Sequence, residues 1–266
     1  MRIALGLEYD GVGFCGWQTQ PGGCGVQDAL EDALSEIAGQ QVKTVCAGRT
    51  DAGVHACGQV VHFDVDALRP ASAWTRGVNA LLSSNASVLW AREVDSQFHA
   101  RFSATARRYK YFLLNRANRP GLHANYLGWF HAPLDQSVMH SAAQALVGEH
   151  DFTSFRAAEC QAKNPVRVVN ELRVSRFGQL ICFEIEANAF LQHMVRNIVG
   201  TLIYVGCARQ SPEWITDVLQ ARDRSLAAPT ISANGLYLYS VKYANSWGLP
   251  EHSTVSWPDG VLAALA

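Results

Sequence analysis

The hydrophobic pattern changes period along the chain, and each change marks an element. Ile3, Leu5, Leu7 and Tyr9 alternate with other residues, the period-two signature of a half-buried strand over residues 2–9. A glycine-rich stretch, YDGVGFCGWQTQPGGCG, follows. Val26, Leu30, Ala33, Leu34 and Ile37 then recur at helical spacing, and Gly39 stops the run. Val42–Ala47 and Gln59–Val65 read as strands, Pro70–Leu82 as a helix and Ser87–Val94 as a strand. The order β-α-β-β-α-β is the split βαβ, ferredoxin-like signature.

A similar order recurs further on. Arg108–Asn115 reads as a strand, and Asp135 caps a helix that runs through Leu146 and stops at Gly148. Val166–Arg176 and Gln179–Ala187 form a hairpin about Phe177-Gly178, and Phe190–Val205 is a helix. Ser211-Pro212-Glu213 opens another with a cap and a first-turn proline. Gly235–Tyr243 is a last strand. The expectation is an α+β chain of two halves, 1–104 and 105–245, with a tail at 246–266 that reads as a surface appendage.

Composition narrows the class. A chain of 266 residues that is 48% hydrophobic can bury a sizeable core. Its formal net charge of −1 leaves any polyanion site to local clustering. The seven cysteines are odd in number and lack CxxC or zinc spacing, so thiols in a reducing cytosol are expected rather than a disulfide scaffold or a structural metal. The N-terminus turns acidic too soon for a signal peptide. The longest uncharged apolar run, Asn197–Ala208, is too short to span a bilayer. A cytoplasmic protein without membrane contact is expected.

Four stretches carry candidate chemistry. In CAGRTDAGVHACGQVVHF, residues 46–63, a Thr-Asp-Ala-Gly is by itself a turn, with the Asp satisfying local amides and the Gly supplying positive φ. Arg49 two residues before Asp51, and the apolar flanks, point further, to a part-buried carboxylate kept ionised by a cation and usable as a nucleophile. His55 reads as a packing or hydrogen-bonding residue. From His99 to Pro133 there are six basic residues, Arg101, Arg107, Arg108, Lys110, Arg116 and Arg119, and no acid. Tyr109 and Tyr111 are interleaved with them, which suits phosphate contact and base stacking as well as a solvated edge strand. On the helix NAFLQHMVRNIVGTL, Arg196 falls with Gln192, His193 and Asn197 beside a broad apolar arc, so it can face a cleft. The polar stretch GEHDFTSFRAAECQAKNPVR, carrying Arg156, Lys163 and Arg167, reads as a binding loop. His150 and Asp151 within it have no third ligand at readable spacing, so no metal is expected.

Together these motifs resemble the tRNA pseudouridine synthase A family. The ordered set is YDGVGFCGWQTQP, VQDALEDAL, CAGRTDAGVHACGQVVHFD, FHARFSATARRYKY, GEHDFTSFRAAECQA, NAFLQHMVRNIVGTL and APTISANGLYLYSVKY, covering about residues 1–245. The resemblance implies two ferredoxin-like halves sharing one mixed, mostly antiparallel sheet, with helices packed on it and the active cleft between them. It implies that Asp51 is the catalytic aspartate with Arg49 in the same motif, that Tyr109 stacks on the target uracil, that Arg196 pairs with the aspartate, and that Leu236 lines the base pocket. It implies a homodimer acting on uridine at positions 38–40 of the tRNA anticodon stem-loop, with no cofactor, nucleotide or metal. Arg101, Arg107, Arg108, Lys110, Arg156, Lys163 and Arg167 would then meet the RNA backbone. Two departures stand out. Gly25 replaces the common cap Thr, and Ile231-Ser232 alters the loop before Leu236, which is expected to sit differently. A non-catalytic tRNA-binding protein of the same fold would bind tRNA without making product. A nucleoside hydrolase using Asp51 would need a second carboxylate, and none lies within the core motifs GRTDAGVHA and HMVRNIVG.

Overall fold

The computed structural model describes residues 1–250. Its strands are mixed and mostly antiparallel, and the chain divides into two compact units. The first holds Met1–Arg107 and the described residues from Tyr237 onward; the second holds Arg108–Leu236. The boundary expected near residue 104 thus falls at 107/108, and the last strand, expected with the second half, belongs to the first unit.

In the first unit the element order over residues 2–94 is the expected β-α-β-β-α-β. These are β1 (Arg2–Tyr9), α1 (Val26–Ala38), β2 (Val45–Cys46), β3 (His55–Asp64), α2 (Val78–Leu81) and β4 (Ala86–Val94). β1 pairs antiparallel with both β3 and β4, and the two-residue β2 adds to β3. β1 is not half-buried. Ile3 through Leu7 are all buried, because Ala4 and Gly6 leave room for a second layer. A Cβ on Gly6 would lie 2.1 Å from the Trp90 indole. Ala4 joins Phe98 and Ala100 in a cluster covered by Trp90, Trp247 and Leu249. The start of the expected surface tail, as far as Leu249, is therefore packed on this core; residues 251–266 lie outside the described part. The helix expected over Pro70–Leu82 contains a π-helical turn, Ala73–Gly77, before α2. That turn sets Trp74, fully buried, edge-on to Phe63 at 5.3 Å.

The second unit continues the chain along β5 (Ala104–Asn115), which crosses the boundary, and β6 (Gly128–Phe130), parallel to it. Then come α3 (Gln136–Ala143), β7 (Gly148–Asp151), β8 (Val166–Phe177), β9 (Leu180–Ala187), α4 (Met194–Gly206) and α5 (Trp214–Ala221). The strand order is β5-β9-β8-β7, and the β8–β9 hairpin turns at Gly178 with φ of +57° as expected. α4 begins at Met194 and not at Phe190, since His193 takes a left-handed φ of 61° that no helix continues through. β10 (Leu236–Tyr243) is the last strand among the described residues, and its Tyr237 and Leu238, which belong to the first unit, pair parallel with His55 and Ala56 of β3. No helix among the described residues is long and apolar enough to cross a membrane.

The glycine-rich loop between β1 and α1 differs from expectation. Cys15 and Cys24 form a disulfide across nine residues, while Cys46, Cys57, Cys160, Cys182 and Cys207 are free. The pairing depends on the turn that also brings the Cys15 amide to the Cys24 carbonyl at 2.9 Å. The cysteine count carries no trace of that turn.

Candidate active site

The Asp51 loop runs from Ala47 to Val54 between β2 and β3, and it is braced from several directions. Thr50 is buried; its hydroxyl lies 2.8 Å from the Tyr9 hydroxyl, and its carbonyl accepts the Trp17 amide at 2.9 Å. Fully buried Gln59 reaches back from β3 and donates to the Gly48 carbonyl at 2.6 Å. The loop closes on a turn in which the Val54 amide donates to the Asp51 carbonyl at 3.1 Å and Gly53 adopts φ of +77°. Gly16, at φ of +97°, passes so close that a Cβ there would lie 3.0 Å from the Thr50 carbonyl. Asp51 itself is half-buried and Arg49 is exposed. The backbone that carries the Asp51 carboxylate is thus fixed on both sides of the residue. His55 is buried, stacks on Tyr237 at 4.6 Å and accepts the Gly11 amide on Nδ1 at 3.1 Å. Burial raises the Cys46 thiol to about 12, so it stays protonated at neutral pH.

The second unit holds the other residues singled out from the sequence. Tyr109 on β5 is buried, its ring edge-to-face with Phe190 at 4.9 Å. Arg196 lies in the first turn of α4, half-buried, and its Nε donates to the Ile231 carbonyl at 2.8 Å. Burial raises the pKa of the neighbouring Tyr111 hydroxyl, while the Arg196 charge pulls it the other way. That hydroxyl donates to the Ser232 carbonyl at 3.0 Å. The unusual Ile231-Ser232 pair is used through both carbonyls and through the Ser232 hydroxyl, which accepts the Asn234 amide at 3.3 Å. Leu236, buried at the head of β10, follows Gly235, whose carbonyl takes the Phe112 amide at 2.9 Å. A Cβ on Gly235 would meet the Phe112 carbonyl oxygen at 2.4 Å, so the strand can approach only as glycine.

The basic run is not a free stripe. Arg107 is buried and donates to the carbonyls of Ala47, Ala104 and Arg101. Arg108 is gripped by Glu171, Glu184 and Glu186, and buried Lys110 lies 3.5 Å from Glu184. These three side chains, expected on the RNA backbone, have partners within the protein: Arg107 mainly nearby carbonyls, Arg108 and Lys110 carboxylates from distant strands. Arg101 and Lys163 are exposed, and Arg156 and Arg167 are half-buried. Within the polar loop, His150 bonds the Val147 carbonyl at 3.0 Å and Asp151 accepts from Thr153 at 2.6 and 2.9 Å. Among the described residues no three His, Cys, Asp or Glu side chains are grouped to hold a metal ion. The bracing roles of Tyr9, Trp17 and Gln59 had no local signal in the sequence.

Comparison with known proteins places this arrangement. A family model described as tRNA pseudouridine synthase matches residues 7–103 and 142–244, which include the Asp51 loop and α4. A protein of Thiobacillus denitrificans named tRNA pseudouridine synthase A is 54% identical over 258 residues, 97% of this chain and 99% of that one. Proteins of the same name from Dechloromonas aromatica and Nitrosomonas eutropha are each 55% identical, covering 98% and 100% of this chain and 100% and 96% of their own lengths. The chain belongs to the tRNA pseudouridine synthase family and is an enzyme of the isomerase class.

Proposed function

We propose that this enzyme converts uridine to pseudouridine at positions 38–40 of the tRNA anticodon stem-loop, with Asp51 as its catalytic carboxylate. The family match carries the reaction, and the braced loop around Asp51 supports the residue. The reaction breaks the N1–C1′ bond of uridine, turns the uracil, and joins C5 to C1′. The C5 proton leaves and N1 gains one, so substrate and product are isomers and no redox partner or net water enters. Asp51 acts either by attacking C1′ or by abstracting the C2′ proton. In this reading Arg196, and Arg49 beside Asp51, keep the carboxylate ionised, Tyr109 stacks on the extruded uracil, and Leu236 lines its pocket. Extruding a paired base costs a few kcal/mol, offset by phosphate contacts from Arg101, Arg156, Lys163 and Arg167. Family resemblance also supports a homodimer, which light scattering reads directly.

The test is Asp51→Asn assayed by tritium release from C5-labelled uridine in tRNA. The rate should fall by roughly three orders of magnitude or more, as for loss of other enzymatic nucleophiles. Release at a near wild-type rate would remove Asp51 from the mechanism.

A further inference from the structure

We propose that Phe102, with Arg101 beside it, is a stacking site for an unpaired base of the RNA substrate. The inference rests on the tRNA reading above and adds a contact to it. Phe102 is 76% exposed, against 38% for Trp129 and 39% for Phe177. Single exposed apolar residues are common on protein surfaces, and most sit where the chain can adjust. This one does not. Every amide from Phe98 to Ser103 donates to a fixed acceptor. Phe98 bonds the Asp95 carbonyl at 2.9 Å, His99 the Ser103 hydroxyl at 3.0 Å, and Ala100 the His62 Nδ1 at 3.1 Å. Arg101 and Phe102 both bond the His99 Nδ1 at 3.2 Å, and Ser103 bonds the His99 carbonyl at 2.8 Å. The Arg101 carbonyl is taken by Arg107 and the Ala100 carbonyl by Tyr243 at 2.6 Å. The loop holds a large ring in water and gives it almost no freedom to withdraw.

The ring is also prepared for a planar partner. Phe102 stacks on the His99 imidazole at 4.3 Å and 30°, and the Arg101 guanidinium lies over the ring, its carbon 5.6 Å from the centroid, so an incoming base would stack on the guanidinium plane or take its place against the ring. An aromatic face flanked by a cation is the pairing that holds unstacked bases and their phosphates. A rigid ring loses little further entropy when a base settles on it. The alternative, a protein partner, needs a contiguous apolar patch of several hundred Å². The residues on either side of Phe102 are Arg101, which is exposed, and Ser103, neither of them apolar.

The test uses the full-length protein and unmodified tRNA. Phe102→Ala should weaken tRNA binding in fluorescence anisotropy by about tenfold, the loss of one stacked base, and raise KM correspondingly. Phe102→Trp should restore binding. Anticodon stem-loops carrying 5-iodouridine at single loop positions should photocrosslink to the Phe102 peptide of the wild type and not to that of Phe102→Ala, with circular dichroism confirming both folds. Wild-type affinity and an unchanged crosslink pattern in Phe102→Ala would overturn the inference. So would unchanged tRNA affinity with a changed oligomeric state in light scattering, which would make the ring a protein contact. A wild-type protein that binds tRNA but forms no pseudouridine would instead overturn the reaction assigned above, and the binding and crosslinking results would still decide the stacking site.

Discussion

Two nitrogens of the Arg107 guanidinium, Nη2 and Nε, donate to the Ala47 carbonyl at 3.0 and 3.3 Å. Ala47 begins the loop that carries Asp51, so Arg107, expected on RNA phosphates, also braces that loop. Arg107→Lys keeps the charge but cannot span the same carbonyls with one ammonium. It should destabilise the protein by about 2 kcal/mol, about 4–8 °C in Tm, read by calorimetry. The slope of log Kd for tRNA against log salt should stay at the wild-type value. A phosphate contact would lower it by about 0.7–0.9, which would return Arg107 to the RNA interface.

His62 links pH to the Phe102 loop. Its Nδ1 accepts the Ala100 amide, so the bond exists only in the neutral ring. Burial, helped by the nearby Arg2 charge and by His99, lowers its pKa from 6.5 to about 4, with Asp64 opposing. The folded state therefore resists a proton that the unfolded chain accepts. The contribution is fully present above pH 6.5 and is lost as pH falls from 6.5 toward 4. His99 is shifted in the same direction, by burial first and then by Arg2. Urea unfolding from pH 7.5 to 4.5 should show wild type losing stability faster than His62→Gln, whose amide oxygen can still accept from Ala100. Parallel curves for the two proteins would exclude His62 as the source.

How much of this was legible in the sequence depends on how local each cause is. The strand at 2–9, the helix at 26–38 and the hairpin at Gly178 follow from neighbouring residues and were readable. The second buried face of β1 was not, because Ala4 and Gly6 acquire meaning only when Trp90 and Phe98 pack over them. The early start expected for α4 came from the apolar pair Phe190 and Leu191, which the wheel cannot distinguish from helix; His193 with φ of 61° ends that continuity. The internal partners of the basic run were hidden for a related reason. Arg108 meets Glu171, Glu184 and Glu186 across separations of 63, 76 and 78 residues, and only strand pairing brings them together. The RTDAG motif was visible in the sequence. Its bracing by Tyr9, Trp17 and Gln59 was not.

The Cys15–Cys24 disulfide closes the loop whose Trp17 amide holds Thr50. Closing so short a loop removes about 2–3 kcal/mol of unfolded-chain entropy. The double variant Cys15→Ser, Cys24→Ser should lower the unfolding free energy by about 2 kcal/mol, because the Cys15–Cys24 backbone bond survives. A reducing agent should shift wild type to the variant's midpoint and leave the variant where it is. A reductant effect of equal size on both proteins would show that this pair is not the bond being broken.

Asn197, fully buried beside Arg196 on α4, ties three segments of the second unit together. Its Nδ2 donates to the Phe155 carbonyl at 2.7 Å, and its Oδ1 accepts from the Thr230 hydroxyl at 2.6 Å and from Arg224 at 3.1 Å. Thr230 directly precedes Ile231, whose carbonyl holds the Arg196 Nε. Asn197→Leu fills the same space but leaves the Phe155 carbonyl without its donor and takes one acceptor from the Thr230 hydroxyl and from Arg224, which keep each other at 3.1 Å. It should cost about 3–4 kcal/mol in urea unfolding, whereas Thr230→Val, which removes one hydroxyl, should cost about 1 kcal/mol. Because the loop carrying Ile231 is loosened in both, kcat should fall in the same order, with tRNA affinity changing less than kcat. Equal stability of Asn197→Leu and wild type would mean that the network does not hold the loop. A fall in affinity larger than the fall in kcat would place Asn197 in RNA binding instead of in the positioning of Arg196.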